Sequence, residues 1–385
     1  MARTTAVVGA AALAAAMGVG RFAYTPILPL MHSGADLSAQ FGSVLATANY
    51  VGYLVGALAG IAIPALVRSR TTLRVSLLVL TATLALMPAT RDGAAWFALR
   101  LIAGIASALV FVIAVSAVLA APRGHGLGWA LGGGVGGGIA LSGGLILARH
   151  DSWRQAWWLM AALCLILVIP AWFLPTDTVA PAADRSGDRT GRRWFAALLA
   201  AYTLEGVGYI IAGTFLVAAI DQGSPAWIGT SAWVLVGLAA LPSSALWAWC
   251  SRIWSRPTLL MAALVVQVVG TALPAVRGGI GTAIVSAILF GATFLGIGTI
   301  VLAAGAHLRM PRSVAILTTG YGAGQIAGPV LVTPLLHDGY HQALLIAAAA
   351  VALAAVAAGL LRYRFPHHLG PLPVRLRAPS KERIP

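Results

Sequence analysis

The sequence predicts an all-α integral membrane protein with twelve transmembrane helices, arranged as two parallel six-helix repeats. Three observations predict this fold: a composition poor in charge, twelve apolar runs, and glycine positions that recur at one constant offset. Charged residues make up 9% of the 385 residues and apolar residues 59%, whereas about 25% of a soluble domain is charged. So little charge cannot solvate a globule of this size, and we expect lipid to surround most of the chain.

Each apolar run is long enough to cross a bilayer, which takes about 20 residues. Each run must be helical, because unpaired backbone groups are costly in hydrocarbon. The N-terminal run resembles a signal peptide, but it continues to about Leu30 and predicts an uncleaved first helix. The twelve runs cover about 5–30, 41–66, 73–90, 94–121, 126–148, 154–174, 194–220, 226–250, 258–276, 280–306, 313–336 and 342–362.

Two polar segments divide the chain. Residues 175–193 are rich in Pro, Asp, Arg and Gly, which predicts a disordered cytoplasmic linker. Residues 364–385 are basic and rich in proline, which predicts a disordered cytoplasmic tail. The expected domains are therefore a six-helix bundle over 1–174 and a second one over 194–363.

The net charge of +15 is explained by membrane orientation. The cations lie in short loops and form no basic face, so the sequence does not indicate nucleic-acid binding. If both termini are cytoplasmic, that side holds 19 of the 25 Lys and Arg residues and the opposite side holds four. Cytoplasmic loops are enriched in cations in this way. We therefore predict a multi-pass protein of the cytoplasmic (inner) cell membrane with both termini inside.

An offset of 188 residues relates the two halves. Because six predicted helices separate the copies, the halves would be parallel repeats about an axis along the membrane normal. The matched positions are Gly18 with Gly206, Gly20 with Gly208, Gly132 with Gly320, Gly134 with Gly322 and Gly136 with Gly324.

Four stretches of the sequence are similar to a known family. They are GVGRFAYTPILPLM at 18–31, LATANYVGYLVGAL at 45–58, EGVGYIIAGTFL at 205–216 and GYGAGQIAGPVLVTPLL at 320–336. They resemble the YbfB/YjiJ-type branch of the major facilitator superfamily, and the resemblance extends nearly end to end apart from the linker and tail. It implies the major facilitator fold and transport, without a substrate.

Superfamily motifs are met in part. Arg100 and Gly104 match the start of helix 4 in the superfamily. In the loop between helices 2 and 3, Gly60 and Arg68 fit, but residues 64–65 are Pro-Ala where the motif has Asp-Arg. The loop therefore lacks the Asp and one Arg of the charge relay that the motif supplies elsewhere in the superfamily.

The antiporter-associated G-x-x-x-G-P motif is absent from helix 5, where Ile139 follows the second glycine. It occurs in helix 11 as Gly324, Gly328 and Pro329. The motif therefore does not decide between uptake and export.

Three ionisable residues fall well inside predicted spans, away from the span ends: Arg21, Arg100 and Glu205. Such a group costs about 2.5–3.5 kcal/mol at the bilayer centre on insertion scales, so each needs a reason. Glu205 lies near the midplane, where desolvation favours the neutral acid, and we expect it to exchange a proton. Arg21 and Arg100 would hold an anionic substrate group. The alternative is structural: Arg21 pairs with Glu205, or Arg100 satisfies backbone carbonyls.

Other residues are expected to line or shape the path. Pro26 and Pro29 should kink helix 1 at a gate, and Gly132 and Gly136 should allow close helix packing. The remaining substrate-binding candidates are Tyr24, Asn49, Tyr50, Tyr53, Tyr202, Tyr209, Tyr321 and Gln325.

The favoured function is secondary active transport of a small organic solute by alternating access, with coupling to protons expected. The closest alternative within transport is a broad-range exporter of hydrophobic compounds, and a non-transporting receptor or scaffold is a further one. An enzyme is not expected, because the histidines lie in loops, tail or span ends and no H-E-x-x-H occurs. We expect no metal, cofactor, nucleic acid or obligate protein partner, only the solute, protons and the bilayer.

Overall fold

The computed structural model describes residues 2–120, 126–148, 152–176, 191–308, 310, 312–363 and 365–366, and over these residues it is helical without strands. Residues 177–190 of the predicted linker, and 364 and 367–385 of the predicted tail, lie outside the described residues. Within these residues the twelve long helices are α1 (Ala2–Leu13, π-helical Ala14–Val19 and Tyr24–Ala35), α2 (Ala39–Ala62), α3 (Arg70–Leu86), α4 (Gly93–Ala120), α5 (Gly126–Leu131, π-helical Gly132–Gly136 and Gly137–Ala148), α6 (Trp153–Ala171), α7 (Arg192–Asp221), α8 (Ala226–Cys250), α9 (Arg256–Val276), α10 (Ile280–His307), α11 (Ser313–Val332) and α12 (His341–Leu361).

Eleven helical segments within the described residues are long and apolar enough to cross a membrane. They correspond to every helix except α11. The stretch 320–329 of α11 carries four glycines together with Tyr321, Gln325 and Pro329, which lowers its mean hydropathy. The chain is therefore a multi-pass membrane protein, and its helix count agrees with the predicted twelve apart from this polar member.

Helix α1 is interrupted at its centre. A π-turn over Ala14–Val19 gives i to i−5 hydrogen bonds, including one from Gly20 N to Ala15 O of 2.9 Å. The α-helix resumes at Tyr24, two residues before Pro26, whose ring nitrogen cannot donate to the preceding turn. Helix irregularities of this kind free backbone groups for other donors and acceptors.

Helix packing follows the same scheme in both halves. In the first half α2 packs on α4, α4 on α3, α3 on α6, and α1 on α5 and α6. In the second half the corresponding contacts join α8 with α10, α10 with α9, α9 with α12, and α7 with α11 and α12. The halves meet through α5 with α8, α2 with α11 and α1 with α7. The predicted parallel repeat thus has a counterpart in the packing.

A hydrogen bond locates the axis between the halves. The hydroxyl of Thr25 donates to the carbonyl of Gly213 over 2.5 Å, and these residues are 188 positions apart. In a two-fold arrangement a residue beside the axis contacts its own counterpart. The pseudo-two-fold axis therefore passes between α1 and α7 at this level.

Two glycines allow backbones to approach closely. A Cβ at Gly104 would collide with the carbonyl oxygen of Asn49, where α4 crosses α2. A Cβ at Gly132 would collide with the carbonyl oxygen of Leu241, where α5 meets α8 across the halves. By contrast, the nearest side-chain atoms to a Cβ at Gly60 are 4.0 Å away, so Gly60 does not serve close packing here.

We expect Gly132→Ala to lower the apparent melting temperature of the detergent-solubilised protein, because the added methyl meets backbone that cannot swing aside. Overpacking typically costs about 1–3 kcal/mol. Gly133→Ala is the matched control, since a Cβ at Gly133 has nothing within 4 Å. Thermal unfolding followed by tryptophan fluorescence checks the pair. Equal melting temperatures in the two variants would contradict the close contact between α5 and α8.

Candidate functional site

The three charged side chains at the centre of the bundle are buried but not paired with one another. Arg21, Arg100 and Glu205 are 3%, 2% and 1% exposed. Among the described residues the only side-chain partners of these groups are uncharged, so the ion pair considered between Arg21 and Glu205 does not form in this conformation. Their charges therefore have no opposite charge beside them.

Arg21 connects the two halves. Its Nη2 donates to Oε1 of Gln325 on α11 over 2.5 Å. The guanidinium carbon lies 4.4 Å from the ring centroid of Tyr53 and 4.9 Å from that of Tyr50, and both rings belong to α2. The Nε atom of Arg21 has no partner. A guanidinium with an unused N–H can bind a carboxylate or phosphate oxygen.

Arg100 lies beside the break in α1. Its Nη1 donates to the carbonyl of Gly20 over 3.3 Å, and its guanidinium carbon lies 4.6 Å from the ring centroid of Tyr24. The side-chain amide of Asn49 in turn donates to the Arg100 carbonyl over 3.0 Å. The structural interpretation of Arg100 as a donor to a backbone carbonyl therefore holds for one nitrogen. Its Nε and Nη2 atoms have no partner.

Glu205 faces α9. Its Oε1 accepts from Nε2 of Gln267 over 3.3 Å. The other oxygen of Glu205 and the Oε1 atom of Gln267 are both buried acceptors without a donor. A proton on the carboxyl group would give this pair a second donor. Glu205 therefore lies inside the second half, apart from the two arginines.

Aromatic rings form a stack near Arg21. Tyr202 and Tyr321 are nearly parallel, with centroids 4.3 Å apart. Tyr209 stacks on Tyr321 at 5.8 Å and on Phe294 at 5.6 Å. Phe290 completes the tyrosine stack, defined as Tyr202, Tyr209, Tyr321, Phe290 and Phe294. Its members come from α7, α10 and α11.

Hydrogen bonds between the halves lie toward one side of the bundle. We call the side with the α1–α2 connection the loop face and the side with the chain ends the terminal face. Between described residues, every side-chain hydrogen bond joining the halves lies at the level of Arg21 or nearer the loop face. Beyond Arg21 and Thr25 these bonds join Ser43 with Pro329 and Thr333, Tyr50 with Thr214, and His32 with Tyr340.

Most of the remaining predicted residues lie at helix contacts, and Arg68 lies at the surface. Gly324 and Gly328 bring α11 against α7, since a Cβ at either would meet backbone atoms of Thr203 or Val207. Pro329 lies inside α11 and its carbonyl accepts from Ser43. Pro29 lies inside α1, and Gly136 approaches the α8 backbone. Arg68 is exposed at the end of the short helix Pro64–Val67, away from the three buried charges.

The sequence did not single out several residues that complete the site. Gln267 is a polar residue in the middle of an apolar run, and that position could have marked it as a partner for Glu205. Thr25 could have been found from the 188-residue offset. Phe290 and Phe294 carried no sequence signal, because an aromatic pair at helical spacing is typical of an ordinary core. Within the described residues no group of three His, Cys, Asp or Glu side chains could hold a metal ion.

A family model described as the uncharacterised MFS-type transporter YbfB matches residues 13–359. The chain belongs to this family of major facilitator transporters. Comparison with curated proteins gives no match. A crystal structure of a mutant of the nucleoside transporter NupG is similar over 93% of this chain and 100% of that chain, with a TM-score of 0.71 and 16% identity. At this identity the similarity concerns the fold, and it agrees with the predicted major facilitator architecture.

We expect Tyr50→Phe to weaken closure at the loop face, because it removes the 2.7 Å hydrogen bond to Thr214 across the halves. A hydrogen bond contributes about 0.5–1.5 kcal/mol, which corresponds to a roughly 2- to 10-fold change in the population of the closed form. Tyr24→Phe is the matched control, since its hydroxyl bonds Gly42 within the first half.

Spin labels at Ser33→Cys and Gly223→Cys report the separation at the loop face in a background without Cys164 and Cys250; both label positions are exposed. A broader or longer distance distribution in Tyr50→Phe, with Tyr24→Phe unchanged, is expected. The same distribution in both variants would contradict a latch role for Tyr50.

Proposed function

We propose that this transporter carries a small organic anion across the cytoplasmic membrane by alternating access, coupled to protons. The observation that carries the proposal is the separation of the three buried charges. Arg21 and Arg100 have no carboxylate beside them, and Glu205 has no cation. A buried charge without a counter-charge is unfavourable. We therefore infer that a mobile partner neutralises each group: an anion binds the arginines, and a proton binds the glutamate.

The anionic substrate is supported by the number and position of the unused donors. Arg21 offers Nε, and Arg100 offers Nε and Nη2, all of them buried. An uncompensated guanidinium in hydrocarbon is unfavourable, whereas a bound carboxylate would supply charge and hydrogen bonds together. Arg21 also contacts both halves, so a carboxylate that binds its Nε and Nη2 together would replace the hydrogen bond to Gln325.

Proton coupling is supported by the pair of Glu205 and Gln267. A protonated carboxyl group and a carboxamide can donate to each other: the second oxygen of Glu205, once protonated, would donate to Oε1 of Gln267, so that both atoms that now lack a partner would share a hydrogen bond. Glu205 lies three residues after Tyr202 and four before Tyr209, so it shares a face of α7 with the tyrosine stack. Loss of the proton beside the path would thus affect the same helix face that meets the substrate.

The direction of opening follows from the distribution of charge. If the terminal face is cytoplasmic, as the loop cations favour, the hydrogen bonds near the loop face close the outer side. The described conformation would then be inward-facing, and transport would require the bonds of Thr25, Tyr50 and Ser43 to break. Exchange between two such states is the proposed alternating access.

One observation favours the rival function of a broad-range exporter of hydrophobic compounds. The tyrosine stack offers apolar ring faces that accept many amphipathic molecules without a fixed hydrogen-bond pattern. Such an exporter would not need Arg21 or Arg100 to be charged.

We expect Glu205→Gln to abolish solute-driven proton movement in liposomes, because the glutamine side chain cannot gain and release a proton in each transport cycle. Purified protein is reconstituted with a pH-sensitive dye inside, and pooled carboxylates and amphipathic drugs are supplied. Asp36→Asn is the control, since Asp36 is exposed in a left-handed turn where asparagine is also tolerated. Persistent coupled proton movement in Glu205→Gln would remove Glu205 from the mechanism.

We expect Gln267→Leu to move the pH profile of transport toward higher pH, because leucine cannot donate to the carboxylate of Glu205 and disfavours its charged form. Thr271→Val is the matched control, one turn further along α9; Thr271 is fully buried and its hydroxyl has no partner. Initial rates of uptake over a pH series give the profiles. A Gln267→Leu profile that coincides with the Thr271→Val profile would show that the amide does not act on the proton site.

A further inference from the structure

We propose that the transported anion is an aromatic carboxylate, whose carboxylate binds Arg21 while its ring packs against the tyrosine stack. This inference rests on the anionic part of the proposed function and adds the nature of the substrate body. It requires three things of the structure: a ring platform, its connection to an unpaired cation, and ring faces that are not fully covered.

The rings of the tyrosine stack are nearly parallel. Tyr202 and Tyr321 meet at an interplanar angle of 11°, and Tyr209 lies at 22° to Tyr321, 13° to Phe290 and 15° to Phe294. Aromatic rings in cores are commonly edge-to-face as well as offset-stacked. A series of nearly parallel rings offers flat faces to a planar guest, which an aliphatic core would not.

Two residues connect the tyrosine stack with Arg21. Gln325, which accepts from Arg21, lies one helical turn after Tyr321, so the two share a face of α11. Phe22, which follows Arg21 in the sequence, contacts Tyr209 edge-to-face at 6.5 Å between centroids. A carboxylate on Arg21 would therefore hold an attached ring next to the stack.

Part of the tyrosine stack is accessible: Tyr321 is half-buried, whereas Tyr202, Tyr209, Phe290 and Phe294 are buried. Tyr53 on α2 and Tyr321 on α11 are half-buried, although both lie in the middle of their helices. Phe111 on α4 is also half-buried, and its ring lies 6.2 Å from that of Tyr53. Tyr321, Tyr53 and Phe111 thus keep accessible area, whereas Arg21 and the other members of the tyrosine stack are buried.

Other occupants use only part of this arrangement. An aliphatic carboxylate would satisfy Arg21 but gain no stacking against the tyrosine stack. A neutral aromatic compound would stack but leave the guanidinium without a counter-charge. Only a molecule with both groups matches the site, and the short link between Arg21 and the stack favours a carboxylate close to the ring.

Binding by the purified full-length protein tests the inference with matched ligands. Benzoate, phenylacetate and naphthoate are each compared with the saturated-ring analogue and with the amide, by calorimetry. At least one aromatic carboxylate should bind about 3- to 10-fold more tightly than its saturated-ring analogue, the range expected for one stacking contact. It should also exceed its amide by a larger factor.

The outcomes separate the two proposals. Equal affinity for aromatic and saturated carboxylates, or no binding of any aromatic carboxylate, would overturn the aromatic assignment while leaving an organic anion tenable. Equal affinity for carboxylates and amides would overturn the anionic function itself.

Variants assign any ring preference to the stack. Tyr321→Leu should remove the preference for aromatic over saturated carboxylates, and Tyr321→Phe should restore it because a ring face returns. Phe173→Leu, at an exposed position after α6, should keep the preference. Each variant is first shown to be monodisperse in detergent. A ring preference that survives in Tyr321→Leu would show that the stack does not bind the substrate.

Discussion

The structure depends on one constraint, the cost of charge and of unpaired polar groups in a hydrocarbon environment. The constraint makes every span helical and confines most cations to loops. It also indicates a role for the ionisable residues inside the spans, because a buried ionisable group is stable only if a partner or a proton neutralises it. Arg100 is partly accounted for by the carbonyl of Gly20 at the break in α1. Arg21 and Glu205 have neutral partners only, and the proposed anion and proton would complete them.

The same constraint shapes the junction between the halves. With lipid as solvent, helices gain little from hydrophobic association, so close backbone contact and hydrogen bonds hold them together. At Gly132 the α5 backbone reaches α8, and near the loop face hydroxyl groups such as Thr25 and Tyr50 reach the other half. Single hydrogen bonds are individually weak, so a junction built on a few of them can open without loss of the bundles.

The separation of Glu205 from the two arginines has a consequence for the proposed mechanism. Glu205 bonds within the second half, to Gln267, whereas Arg21 bonds across the halves to Gln325. Within the described residues, α7 and the tyrosine stack link the two sites. In the proposed mechanism, protonation of Glu205 would therefore affect substrate binding at Arg21 through movement of Tyr202 and Tyr209 on α7. Direct attraction between the carboxylate of Glu205 and the guanidinium of Arg21 would play no part in this conformation.

The sequence by itself determined the all-helical membrane fold, the six-plus-six repeat and the three ionisable residues at depth. The composition and the spacing of the apolar runs indicate that lipid is the solvent, and the 188-residue offset indicates the repeat. Only the tertiary structure decided the partners: Glu205 with Gln267, Arg21 with Gln325, and the parallel rings from three helices. Such pairings depend on the rotation of each helix about its axis and on its neighbours. The rotation of a helix cannot be predicted when its whole surface is apolar, because lipid-facing and buried positions carry the same residue types.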